Sequence, residues 1–314
     1  MDITKLAGKP VAVVGGANLD IKGRCYHELR WGTSNPGETL TCPGGVGRNI
    51  AETMARLGVP VSLLTALGGD LAGQEILNLC QGAGVDMTRV RICSGHRTGT
   101  YLAITSPQGE LEAALADMTI LEEVSPQLVA EHRELLLGTG IMVADANLPG
   151  ETLAAVADLA GDGPALALEA VSVEKAEKLL PFLGRATILA ANRREIAHLS
   201  GLDLTSLEGW RQARHWHQNL GGQMLLLKLG SQGLFIGSQE LCLHLPAQAA
   251  QAKDSTGAGD SLLGGFLAAI WGGASLDQAG HVALAVAQAT LASPYSVARE
   301  LTPSWIGEIS CKSR

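Results

Sequence analysis

The run Asp254-Ser255-Thr256-Gly257-Ala258-Gly259-Asp260 decides how this chain is read. Its small residues let backbone N–H groups come close to an anion, and the SLLGGFLAAIW segment that follows has the composition of a buried helix whose positive end would face that anion. Asp260 then falls in the first turn of the helix. A carboxylate held there, next to a bound phosphoryl group, is placed to accept the proton of an attacking hydroxyl, so the run points to phosphoryl transfer. Taken alone, a glycine-rich loop capped by an aspartate would look the same, because Asp is favoured near helix starts for structural reasons.

The chain around this loop has 314 residues, 46% of them hydrophobic, enough for one large α/β domain or two small ones with a sizeable core. A formal net charge of −8 disfavours nucleic acid or an anionic membrane as partner, since binding there is dominated by basic residues on phosphates. A nucleotide is repelled at long range as well. If ATP is the ligand, positive potential must be assembled locally from a helix N-terminus, a few Lys or Arg side chains and magnesium. The six cysteines include no C-x-x-C pair, which suits reduced thiols and implies no zinc site. No signal-peptide core opens the sequence and the longest apolar stretch, residues 262–271, is too short to span a bilayer. A soluble cytoplasmic protein is expected.

Apolar runs of strand length (PVAVVG, VSLLTAL, IMVAD, ALAL, TILA, MLLLK) alternate with helical patterns such as 48–57 and 73–81, the order of a mostly parallel sheet covered on both faces. Gly58, Gly84 and Gly201 are placed to stop helices. With no linker, repeat or low-complexity tract, residues 1–314 read as a single domain. Two stretches break the alternation: the polar, turn-rich 21–41, and 97–116, which reads as a hairpin turning at 107–109. Together they are expected to form a small β lid able to close over a ligand.

Further polar groups flank these elements. Pro43-Gly44-Gly45-Val46-Gly47-Arg48-Asn49 leads into a helix, and Asn49 offers the donor and acceptor that a pair of sugar hydroxyls needs. Asn18 and Asp20 follow the first strand, at the carboxyl edge where open α/β sheets place their ligands; a satisfied turn is the other reading of that pair. Asn192 and Glu195, three apart after TILA, share a helix face on which they can hold hydrated magnesium, or form a capping box, or both. Lys228-Leu229-Gly230-Ser231-Gln232-Gly233 turns between two apolar strands, where backbone can approach a nucleotide. The histidines do not converge on a metal, and Walker A, Rossmann and G-x-S-x-G fingerprints are absent.

With these residues in view, the chain resembles the ribokinase-like, or PfkB, family of carbohydrate and nucleoside kinases over nearly its whole length. GGVGRNIAETMARLG (44–58) looks like the family's first signature and DSTGAGDSLLGGFLA (254–268) like its second, in the right order and with N-x-x-E between them. The resemblance implies a three-layer α/β/α fold with a strand lid, and ATP-dependent phosphorylation of a sugar or nucleoside such as ribose, adenosine or inosine. By position, Asp260 is implied as the base and Gly257, Ala258 and Gly259 as the anion hole. Asn192 and Glu195 fall in the magnesium and phosphate region, and Lys228, Gly230 and Gly233 at ATP. Asn18, Asp20, Gly44, Gly45 and Asn49 are implied at the sugar, with Lys175 also on the acceptor side. Ser34, Asn35, Asp117 and Asn147, near the lid or sugar cleft, suit a base with several hydrogen-bonding edges. Asp254 and Thr256 match positions that line a monovalent-cation site in many relatives, so potassium stimulation is expected, and relatives often form homodimers through the lid.

The chain departs from the family where Asp-Pro is common and it has Glu169-Ala170, where Lys-Pro is common and it has Ala190-Ala191, and at Lys228, more often Thr or Ser. These changes bear on the nucleotide contacts; the cradle and Asp260 are intact. A sensing protein that kept the pocket and lost catalysis is the reading from another class, and the retained GAGD argues against it.

Overall fold

The computed structural model describes residues 8–161, 163–248 and 256–312. The strands are β1 (Val11–Val14), β2 (Asn18–Cys25), β3 (Gly37–Gly44), β4 (Val61–Leu64), β5 (Ala66–Gly68), β6 (Arg91–Cys93), β7 (Thr100–Thr105), β8 (Leu111–Asp117), β9 (Ile141–Asp145), β10 (Ala165–Glu169), β11 (Ile188–Asn192), β12 (Met224–Lys228), β13 (Leu234–Gly237) and β14 (Cys242–Leu245). Eight of them form one sheet in the order β14-β13-β12-β11-β10-β9-β1-β4, parallel from β4 to β12 with two antiparallel strands at one edge. Each parallel strand is a short apolar run because both of its faces are covered. Val11 and Val13 of β1 face one core while Ala12 and Val14 face the other, and Leu225 and Leu227 of β12 oppose Met224 and Leu226 in the same way.

The first core is covered by α1 (Val46–Arg56), α2 (Leu71–Gly82), α9 (Ala258–Trp271), α10 (Leu276–Ala292) and α11 (Ser304–Lys312). The second lies under α3 (Pro126–Glu131), α4 (Arg133–Leu137), α5 (Gly150–Ala160), α6 (Val173–Ala176), α7 (Arg193–Ser200) and α8 (Leu207–Asn219). This is the three-layer arrangement expected. Gly58, Gly84 and Gly201 follow α1, α2 and α7 with positive φ, the left-handed stop that glycine permits. No helix among the described residues is long and apolar enough to cross a membrane.

Four strands form a separate sheet, β3-β2-β7-β8. The stretch 21–41 lies inside a longer hairpin, in which every residue from Asn18 to Cys25 is paired with one from Gly44 to Gly37. The second hairpin turns where Gly109 N–H donates to Ser106 O at 2.9 Å. Two local readings differ from expectation. VSLLTAL is not one strand: it breaks at Thr65, whose carbonyl accepts from Arg91 N–H at 2.9 Å, so that β5 leaves the main sheet to pair with β6. Residues 242–245, too mixed in polarity to read as a strand, complete the antiparallel edge.

Helix α9 is buried at every position from Ser261 to Ile270, which is why its sequence lacks a polar face. It fits because glycines sit where neighbouring helices cross it. A side-chain carbon at Gly264 would lie 2.9 Å from Thr53 on α1, and one at Gly265 3.0 Å from Val286 on α10. The hydroxyls buried at this crossing satisfy each other, Thr290 Oγ1 donating to Ser261 Oγ at 2.9 Å and Thr53 Oγ1 to the same atom at 3.3 Å. Gly264→Val should therefore lower stability by about 1–3 kcal/mol through overpacking, although valine extends the apolar surface. The urea midpoint reads this, and an unchanged midpoint would mean that the helices separate freely.

Candidate functional site

The parallel strands end in polar residues on one edge of the sheet: β9 at Asp145, β10 at Glu169, β11 at Asn192 and β12 at Lys228. Two glycine turns converge above them. The first joins β3 to α1 and crosses the chain that leaves β1. Gly45 has φ 97°, and a side-chain carbon there would press to 2.5 Å from Gly16 O, so only glycine lets the two chains cross. Asp145 is buried beneath this crossing and accepts from the N–H groups of Gly16 and Asn147, each at 2.8 Å. Burial raises its pKa against the pull of those bonds.

Arg48 is 2% exposed despite its charge. It donates to Gly44 O at 3.0 Å and to Pro43 O at 2.9 Å, pairs with Glu52 and donates to Asn49 Oδ1. Glu52 is held in turn by Arg56 at 2.8 Å. The network pins the turn and fixes the Asn49 amide with its oxygen toward Arg48, so that its N–H₂ group points the other way. That group donates to Asp260 Oδ2 at 2.7 Å.

The second turn begins α9. Gly257, with φ 80°, is its N-cap and packs so closely on the backbone of Ser296 that a side chain would collide with it. Asp260 lies in the first turn, half-buried. Burial, opposed by the Asn49 hydrogen bond and the Lys228 charge, raises its pKa to about 6. It is still ionised at neutral pH yet more basic than an ordinary aspartate. Buried Asp20 accepts from Asn18 Nδ2 at 2.7 Å and from Oγ of Ser296, the residue that packs on Gly257, at 3.3 Å, while Gly44 leaves room for the carboxylate. Burial raises its pKa also. The structure thus gathers Asn18, Asp20, Gly44, Gly45, Asn49, Gly257 and Asp260 around one point.

A cavity of about 610 Å³ opens on the other side of Gly259, lined by Lys228, Gly230, Gly233, Ala258 and Leu262 and closed by α10. Lys228 pairs with Glu169 Oε1 at 2.5 Å. Burial, opposed by Lys228, pushes Glu169 up to about 7, with the charges of Asp260 and Glu195 adding to the rise. Burial works against the Lys228 ammonium too, but Glu169, Glu195 and Asp260 outweigh it and its pKa rises. Asn192 and Glu195 form a full capping box: Glu195 N–H donates to Asn192 Oδ1 at 3.0 Å, and Asn192 N–H and Nδ2 donate to the Glu195 carboxylate at 2.7 and 2.5 Å.

Other candidates lie further out. Asn147 Oδ1 accepts from Lys175 Nζ at 2.6 Å, above β9. Asp117, exposed, holds Thr119 at 3.0 Å at the end of β8 nearest Asn18. The structure does not bring Ser34 and Asn35 to the cluster: they occupy the far tip of the β2–β3 hairpin, and the Asn35 amide is committed to Arg30 and Thr33 of its own loop at 2.8 to 3.1 Å. Asp254 lies outside the described residues, while Thr256 stands immediately before Gly257. No group of three or more His, Cys, Asp or Glu able to hold a metal occurs among the described residues. Reading the sequence misses Arg48, Asp145 and Ser296. The first two carried a signal, a charged residue inside a glycine-rich or apolar run.

Residues 9–302 match the pfkB family carbohydrate kinase, and the chain belongs to that family. It is 34% identical to the pseudouridine kinase of Escherichia coli (strain K12) over 263 residues, 83% of each chain. Among solved structures it resembles a carbohydrate kinase from Agrobacterium tumefaciens (TM-score 0.82, 31% identity, 96% of this chain and 97% of that one). The Arabidopsis thaliana ribokinase complexed with ribose and ATP shares the fold (TM-score 0.86, 24% identity, 96% and 98%). The protein is a phosphotransferase acting on a hydroxyl group of a small sugar or nucleoside. Asp260 should titrate near pH 6 in a ¹³C-carboxyl NMR experiment, and Asn49→Ala, by removing a donor that favours the ionised form, should move the midpoint upward. A midpoint near 4 in the parent would mean that the carboxylate is solvated.

Proposed function

We propose that this protein transfers the γ-phosphoryl group of ATP to the 5′-hydroxyl of pseudouridine, giving pseudouridine 5′-phosphate and ADP. The observation that carries the chemistry is the Asp260 carboxylate, oriented by Asn49 at the amide end of α9. Kinship with pseudouridine kinase supports the choice of acceptor.

Asp260 takes the proton of the 5′-hydroxyl as its oxygen bonds to the γ-phosphorus and the bond to the bridging oxygen of ADP breaks. The N–H groups of Gly257, Ala258 and Gly259 face the charge on the transferring group, where the dipole of a 14-residue helix adds to them. Asn18 and Asp20 hold the ribose hydroxyls, with Gly44 and Gly45 letting the sugar approach the backbone. Asn147, Lys175 and Asp117 face the base. Pseudouridine carries one more ring N–H than uridine, and an acceptor placed for it would discriminate strongly, because an unpaired buried partner is costly.

Magnesium fits the donor set here: each Glu195 oxygen accepts one bond from Asn192 and retains lone pairs for water, and this ion needs few protein oxygens beside phosphates. When bound, it would offset phosphate charge, with Asn192 and Glu195 holding it through water. Asp254 and Thr256 as ligands of potassium belong to the same reading. The β3-β2-β7-β8 sheet is the lid, and a homodimer forms through it, supported by Leu115, 67% exposed beside Ile21 and Leu102 in one cross-strand row. Light scattering should give twice the chain mass; a monomer at all concentrations would remove that part.

The central test is a phosphorylation assay across pseudouridine, uridine, ribose, adenosine and inosine, repeated with potassium replaced by choline. Pseudouridine should give the highest kcat/KM, and potassium should raise the rate. Asp260→Asn should lose about 10²–10⁴ in kcat with pseudouridine binding retained. Preference for another acceptor overturns the substrate, and near-parent turnover in Asp260→Asn overturns the mechanism.

A further inference from the structure

Glu169 and Lys228 do not sit on neighbouring strands. Both side chains rise from the carboxyl edge of the sheet on the α9 side, across β11, so their backbones are roughly 10 Å apart, twice the strand spacing. Between them the register places Ala190 opposite Glu169, and a small residue there leaves room for the two chains to meet. The exit from β10 is bent to suit. Val171, a β-branched residue, is held at φ 69°, with its N–H reaching back to Glu169 Oε1 at 3.4 Å. Strain of this kind persists only where the surroundings impose it, and it gathers at working sites.

As a stabilising contact the pair is poor. Burying two charges costs more than their attraction returns unless every other donor and acceptor is satisfied. Here Glu169 is 1% exposed and its Oε2 is a buried atom without a hydrogen-bond partner. Among the described residues the hydrogen-bond partner of the Lys228 ammonium is Glu169 alone, which leaves two of its three donors for an anion. The ammonium also lies directly beneath the cradle: a side-chain carbon at Gly259 would stand 3.3 Å from Nζ. Among the described residues, Lys228 is the one lysine or arginine that lines the nucleotide cavity. In a chain of net charge −8, the cation that meets a triphosphate must be supplied at the site itself.

We propose, on the reading that the donor is a nucleoside triphosphate, that Lys228 is the phosphoryl-contacting cation of this enzyme and that Glu169 is a positioning residue, holding the ammonium beneath the cradle until the phosphate chain arrives. Lys228 then exchanges Glu169 for oxygens of the phosphate chain. The two unusual residues work as a unit: a lysine in place of a small hydroxyl supplies the charge, and a longer carboxylate reaches across β11 to park it.

Calorimetric titration of the full-length protein with the magnesium complex of β,γ-imido-ATP reads this without any acceptor. Lys228→Met should weaken binding by roughly tenfold or more, the size of a hydrogen bond to a charged group. Glu169→Gln keeps the lysine and removes the carboxylate that competes for it, so binding should tighten. The double variant Glu169→Leu, Lys228→Met should melt at or above the parent temperature, as apolar replacements of buried pairs do, yet bind the analogue as weakly as Lys228→Met. Weaker binding in Glu169→Gln, parent-like binding in the double variant, or an unchanged Kd throughout would make the pair structural and overturn the proposal. If the protein does not phosphorylate pseudouridine but the two Kd shifts keep opposite signs, the acceptor assignment falls and this one stands. If the parent does not bind the analogue, both the donor assignment and this proposal fall.

Discussion

The hydrogen bond from Asn49 to Asp260 ties together two glycine turns that are 211 residues apart in sequence. Its direction is not free. Arg48 takes the amide oxygen of Asn49, which leaves the N–H₂ group as the only end that can meet Asp260. Arg48 is itself held by the carbonyls of Pro43 and Gly44 in the turn and by Glu52 on α1, so the orientation of one amide rests on a buried cation. Without that bond, the carboxylate at the head of α9 would lose both its aim and part of the support for its charge.

Asp145 and Glu169 end strands of the main sheet, while Asp20 lies on β2 and Asp260 on α9. Asp20, Asp145, Glu169 and Asp260 are each pushed toward protonation by burial, and each is answered differently. Asp145 spends its oxygens on backbone N–H groups and so becomes part of the framework. Asp20 accepts from the side chains of Asn18 and Ser296 rather than from backbone. Glu169 has a lysine, and Asp260 has Asn49 with an open side. The division follows from geometry: the carboxylate beneath the first turn is saturated by backbone N–H groups, whereas Asp260, at the head of α9, keeps a side-chain partner only. The N-terminus of α9 supplies an opposing positive field.

Much of this was legible in the sequence. The two glycine runs, the buried helix after the second and the apolar strands could be read because each depends on local composition: small residues where chains cross, apolar runs where both faces are covered. What escaped reading depends on partners distant in sequence. Nothing near Glu169 announces Lys228, because one strand and several helices separate them and only the parallel register brings them to one edge. Asn35 shows the converse. A polar side chain in a turn reads alike whether it faces a ligand or its own loop, and here it closes the loop. The break at Thr65 was hidden because VSLLTAL is evenly apolar, while the choice to leave the sheet is made by pairing with β6.

The proposed reaction requires one carboxylate and three amide groups to stand around the phosphoryl group in flight. A crystal structure with ADP, magnesium, a planar metal fluoride and pseudouridine tests it most directly. The fluoride should rest on the N–H groups of Gly257, Ala258 and Gly259, with an Asp260 oxygen within about 2.6–3.2 Å of the 5′-oxygen. A carboxylate turned away from that oxygen, or a fluoride bound elsewhere than on the head of α9, would contradict it.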